Sequence, residues 1–75
     1  MITVDHASQV PPYEQIRLSV AGQIHSGQLP PGTRLPTVRQ LATDLALAPN
    51  TVARAYRELE AAGLVATAGR RGTVV

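Results

Sequence analysis

Residues 29–36 read Leu-Pro-Pro-Gly-Thr-Arg-Leu-Pro, and no helix can pass through them. Proline lacks the amide hydrogen that a helix interior needs, and its ring collides with the preceding turn. The segment must therefore be a turn followed by a short extended piece around Arg34 and Leu35. The chain has to fold as one helical stretch before this break and others after it. It has only 75 residues with which to do so. That is the size of one small domain, which buries roughly 60% of the surface it exposes when unfolded. Cys, Phe and Trp are absent, and Tyr13 and Tyr56 are the only aromatic residues. Without cysteine there is neither a disulfide nor a thiolate zinc site. An apolar fraction of 44% is still too high for a disordered tail. No apolar run approaches the roughly 20 residues of a membrane span. The first ten residues lack the basic start and apolar block of a secretory signal. A soluble domain in the cytoplasm is expected, with no membrane association.

Residues 1–11 show no period and read as a flexible arm. Pro12 suits the first turn of a helix. From there Tyr13, Ile16, Val20 and Ile24 recur at three- and four-residue spacing and form one apolar stripe, stopped at Gly27. Gly22 inside this helix suggests close packing. After the break, Thr37-x-x-Gln40 is a capping box that starts a short second helix with Val38, Leu41, Ala42 and Leu45 on its buried face. Residues 46–48 are a tight connection, and Pro49 opens a third helix over 49–62, for which Ala48 is a poor cap. Its inner face is Val52, Ala55, Tyr56, Leu59 and Ala62, and Gly63 ends it. Two β-prone runs, 64–68 and 73–75, flank Gly69-Arg70-Arg71-Gly72 as a hairpin. Two helices joined by a short turn make a helix-turn-helix, and a hairpin after the second is a wing. The expected fold is mainly α with a small β-hairpin: a winged helix-turn-helix over residues 12–75, with three helices plus a wing.

Charge then points to a partner. All seven cations are Arg. Six of them (Arg34, Arg39, Arg54, Arg57, Arg70, Arg71) lie in the second half, against the acids Asp44, Glu58 and Glu60. On the third helix Asn50, Arg54 and Arg57 are spaced i, i+4, i+7 and share one face, opposite Val52, Ala55 and Leu59. An Arg fork matches guanine or phosphate, and an Asn matches adenine. Asn50 and Thr51 stand in the first turn, where a recognition helix meets base edges or phosphate. Arg70 and Arg71 at the hairpin tip suit a minor groove. Thr37 and Arg39 would lie near the DNA backbone. A plainer reading pairs Arg54 with Glu58 as a surface ion pair and leaves the hairpin cations in solvent. Tyr56 is read as core rather than contact.

The same residues admit a second function: the third helix could dock on an acidic protein partner instead of DNA. An enzyme is not supported, since His6 lies in the arm, His25 has no second His at ligand spacing, and the acids are scattered. No catalytic residue, metal or cofactor is expected.

The stretches Tyr13-Glu14-Gln15-Ile16, Ser26 to Ala42 and Asn50 to Val65, with the ending Gly72-Thr73-Val74-Val75, resemble the N-terminal domain of the GntR family of transcriptional regulators. The run Pro49-Asn50-Thr51-Val52 and Arg54-Ala55-Tyr56 look most like its YtrA-like branch. The resemblance covers residues 12–75. It implies a bacterial regulator, usually a repressor, that binds a palindromic double-stranded operator as a homodimer. It also implies DNA contacts from the second helix, the first turn of the third and the wing glycine, which fall here on Arg39, on Asn50 and Thr51, and on Gly72. Two departures stand out. Ala48-Pro49 replaces the usual Ser-Arg or Thr-Arg, and Arg70 takes the place of the first glycine in the family's Gly-x-Gly-Thr wing. Family members continue into a C-terminal domain that binds an effector and forms the dimer. That domain is expected to be missing from this chain, which would make it an excised DNA-binding domain or, as the less favoured alternative, an unusually minimal protein.

Overall fold

The computed structural model describes residues 2–67, 69 and 72–75. Helix α1 spans Pro12–Ser26, α2 Val38–Leu45 and α3 Pro49–Ala61, followed by strands β1, Ala66–Thr67, and β2, Thr73–Val74. Helix α1 starts with Pro12 at its first position, where the missing N–H has no intrahelical partner to lose. It ends at Gly27, whose φ of 86° lets the chain reverse while its N–H bonds the Ile24 carbonyl. At α2, Thr37 Oγ1 accepts from Gln40 N–H at 3.1 Å. The second half of the expected capping box is not made, because Gln40 Nε2 donates forward to Asp44 Oδ1 at 3.0 Å. Helix α3 has no side-chain cap at Ala48, as its methyl side chain dictates.

The turn between α2 and α3 rests on Ala46 at φ 57°, a left-handed residue with a Cβ. This conformation is usually left to glycine, and a Cβ costs roughly 1 kcal/mol there. The position is stabilised by the Leu47 N–H, which donates to the Ala42 carbonyl at 2.9 Å.

The core lies where the three helices meet. Ile16, Val20, Val52 and Leu59 are fully enclosed, and Leu29, Leu35, Leu41, Ala42, Ala55, Tyr56 and Val65 complete it. Tyr13, Ile24, Val38 and Leu45 sit half-buried at its margin. Leu29 and Leu35 show why the proline segment matters: it delivers one leucine at each end into the core while its turn stays outside. Two expected packing positions differ. Ala62 is exposed, because α3 ends one residue before it. Gly22 is exposed with nothing within 4 Å of a built Cβ, so it marks no close approach.

The arm is more engaged than its sequence suggests. Ile2 and Val4 pack against the core. Gln15 on α1 clasps the backbone, accepting from Asp5 N–H at 2.8 Å and donating to the carbonyls of Asp5 and Val10. His6 Nε2 lies 3.0 Å from the Leu45 carbonyl at the end of α2. A carbonyl only accepts, so that nitrogen carries the proton.

The wing is an antiparallel pair with Ala66 opposite Val74 and Thr67 opposite Thr73. The extended piece after the prolines joins it through a bridge between Arg34 and Val74. Leu35 N–H donates to Thr73 O, Val75 N–H to Thr33 O, and Gly32 N–H to Val75 O, each at 2.8 Å. These bonds fix the wing beside the start of α2.

Candidate nucleic-acid interface

Three elements bound one surface: the start of α2, the outer face of α3 and the wing. Tyr56 ties the first two together. Its ring is buried, and its hydroxyl donates to the Pro36 carbonyl at 2.6 Å, just before the Thr37 cap. Burial pushes the Tyr56 hydroxyl up to about 12. Glu60 ties α3 to the wing, its Oε2 accepting from Thr67 N–H at 3.0 Å and from Thr67 Oγ1 at 2.8 Å. Neither link joins neighbours in sequence, and each fixes an angle that the functional side chains inherit.

On this frame Thr37, Arg39, Asn50, Arg54 and Arg57 are exposed, and Thr51 is half-buried. The helix wheel groups Asn50, Arg54 and Arg57, but the two arginines leave the shared stripe in opposite directions. Arg57 turns toward the wing and lines a depression with Val38, Glu60, Thr67 and Thr73. Arg54 turns toward α1. Its guanidinium carbon lies 3.8 Å above the centre of the Tyr13 ring, and its Nε lies 3.2 Å from Glu58 Oε2. Glu58 also faces Arg17 at 3.8 Å, and Arg17 bonds Glu14. The hydrogen bond from Arg17 holds the Glu14 carboxyl below its usual range, while the same bond pushes Arg17 up.

The expected surface ion pair between Arg54 and Glu58 is therefore made, and it belongs to a four-charge network between α1 and α3. Tyr13 was the partner the sequence did not disclose, since it stands 41 residues upstream of Arg54. Among the described residues, ion pairs form on Arg17 and Arg54 only. Arg34, Arg39 and Arg57 have no acid partner there.

Gly72 takes φ 77° and donates its N–H to the Gly69 carbonyl at 3.1 Å. A positive φ at the wing end is a position that a side chain would strain. Arg70 and Arg71, expected at the wing tip, lie outside the described residues.

A family profile described as bacterial regulatory proteins, gntR family, matches residues 12–75. The chain belongs to the GntR family. This GntR chain is 54% identical to the HTH-type transcriptional regulator Rv1152 of Mycobacterium tuberculosis over 74 residues, which cover 99% of the chain and 61% of that protein. It is 44% identical to the HTH-type transcriptional repressor YtrA of Bacillus subtilis over 75 residues, 100% of the chain and 58% of that protein. The solved structure of YtrA from Sulfolobus acidocaldarius, a GntR-family transcription factor, superimposes with a TM-score of 0.90 at 36% identity, over 99% of this chain and 78% of that one. The GntR chain thus spans about three-fifths of the length of these two curated relatives. The expected winged helix-turn-helix is the observed fold. No helix among the described residues is long and apolar enough to cross a membrane.

Proposed function

We propose that this chain is the DNA-binding part of a bacterial transcription regulator, a repressor, that reads double-stranded operator DNA in a sequence-specific way. One observation carries the reading: Arg39 on α2 and Arg57 on α3 are exposed and have no acid partner among the described residues. Free guanidiniums on the two helices of a helix-turn-helix suit phosphates and purine edges. The names of the relatives, a transcriptional regulator and a transcriptional repressor, point the same way.

In this reading α3 enters the major groove. Asn50 and Thr51 meet base edges or phosphate from its first turn, aided by the uncapped N–H groups there. Arg57 reaches bases or backbone on the wing side. Thr37 and Arg39 hold the backbone from α2. Gly72, with Arg70 and Arg71, brings the wing to the minor groove. Arg54 reaches DNA only by leaving Tyr13 and Glu58. The operator is palindromic and is bound by a homodimer formed through a further, C-terminal domain, in the cytoplasm. The chain itself performs no chemistry.

Fluorescence anisotropy of a labelled mixed-sequence duplex tests the reading. Titration with this chain at two salt concentrations is expected to show binding that weakens steeply with salt and is lost when Arg39 and Arg57 become Ala. A leucine-zipper fusion supplies the second copy. If the fusion also fails to bind at low salt, the surface does not serve DNA, and an acidic protein partner becomes the better assignment.

A further inference from the structure

Arg34 lies outside the helix-turn-helix, in the proline segment, yet the fold carries it to the edge of the same surface. The bridge to Val74 places it on the strand that pairs with β2. Leu35, its neighbour, is buried, so the alternation of an extended chain turns Arg34 outward. Its side chain runs toward the wing end of β2, where a Cβ built on Gly72 would stand 4.0 Å from Arg34 Nε. Arg34 also lines a depression with Thr37 and Gln40 at the start of α2. It is exposed and has no acid partner among the described residues. A cation held between the wing glycine and the α2 cap, without a counter-charge, sits where a strand of DNA would pass from one to the other.

We infer that Arg34 is a further DNA contact, a guanidinium that binds a backbone phosphate between the α2 contact and the wing contact. The inference rests on the DNA-binding reading above. It assigns Arg34 a sequence-independent role, because a phosphate carries no base identity. The proline segment then does more than reverse the chain, since one residue turns a leucine into the core and its neighbour turns a cation onto the nucleic acid.

The test compares the wild-type chain with Arg34→Gln and Arg34→Lys, each as a zipper fusion, on the mixed-sequence duplex across a salt series. Circular dichroism melting checks that each variant is folded. Arg34→Gln is expected to weaken binding several-fold at low salt and to reduce the slope of log affinity against log salt by about 0.9, the value for one phosphate. Arg34→Lys is expected to keep the slope, since a point charge still displaces a counterion. If Arg34→Gln folds and the slope is unchanged, the inference is overturned, whether affinity falls or not. A fall at constant slope means that Arg34 only supports Gly72. If Arg34→Gln melts early, Arg34→Met, which keeps most of the length of the side chain without its charge, takes its place in the salt series with the same expected loss of slope, and an unchanged slope refutes the inference. Absence of salt-dependent binding by the wild-type fusion removes the DNA reading itself, and the inference falls with it.

Discussion

The two flanks of α3 carry the same side chain to different ends. Toward α1, Arg54 is stacked on Tyr13 and paired with Glu58, and Arg17 and Glu14 close the network. Two cations and two anions cancel there. Toward α2 and the wing, Arg57, Arg39 and Arg34 stand without acid partners among the described residues. The acid closest in sequence on that side, Glu60, is occupied by Thr67. One flank uses its charge to hold two helices together, and the other leaves it free for an anion. The basic character of a helix face is thus decided by what stands beside it, not by its own residues alone.

The largest effect that sharpens this contrast is on DNA. Arg57→Ala is expected to weaken binding by about 1–3 kcal/mol if the fork reaches a base, with the melting temperature unchanged. Arg54→Ala, measured in parallel, is expected to cost far less binding. Equal losses would break the contrast and return Arg54 to the readout face.

Next comes the link that sets the α2–α3 angle. Tyr56→Phe removes the donor to the Pro36 carbonyl, at an expected cost of about 1–2 kcal/mol in stability by urea unfolding. It also carries a pH signature. The folded hydroxyl is pushed up to about 12 from its ordinary 10.0, so the folded state holds its proton more tightly than the unfolded chain. The stabilisation is complete below pH 10 and is lost as pH rises from about 10 toward 12. The Phe variant is expected to lose less stability than wild type across that window, and parallel decline would show that Tyr56 does not control it.

A smaller effect probes the neutral flank directly. Arg54→Ala removes a cation–π contact of about 0.5–1 kcal/mol and an exposed ion pair of at most about 1 kcal/mol. Thermal unfolding is expected to register a drop of that order. Glu58→Gln should instead free Arg54 and raise low-salt DNA affinity; no gain would mean that stacking on Tyr13 alone keeps Arg54 from DNA.

The smallest effect is a control away from both flanks. Gly22→Ala on the exposed side of α1, with open space at its Cβ, is expected to stabilise by about 0.5–1 kcal/mol and to leave DNA binding untouched. A loss of stability would mean that the Gly22 surface is covered in solution.

Most of the fold was legible because its signals are local. Pro12, Gly27, Thr37 and Pro49 mark helix ends through the chemistry of a single amide or hydroxyl, and the apolar stripes follow the 3.6-residue period. The family motif was legible for the same reason, since it is a run of neighbours. The docked arm was not, because Ile2 and Val4 are isolated apolar residues without a period, and their burial depends on a crevice assembled by other elements. The left-handed Ala46 escaped because no residue type announces it.

The sequence by itself determined where each helix begins and, to within a residue for α3, where it ends, which residues form most of each apolar face, and that Asn50, Arg54 and Arg57 share one side of α3. Those properties depend on residues a few positions apart. Tertiary structure alone decided that Tyr13 engages Arg54, that Arg17 faces Glu58, that Tyr56 reaches Pro36, and that Arg34 meets the wing. These partners lie tens of residues apart in the sequence. A hydrogen bond needs its donor within about 3 Å of its acceptor, and exposed charges are screened over about 10 Å, so which charges are neutralised and which remain free is settled only when packing brings the helices and the wing into contact.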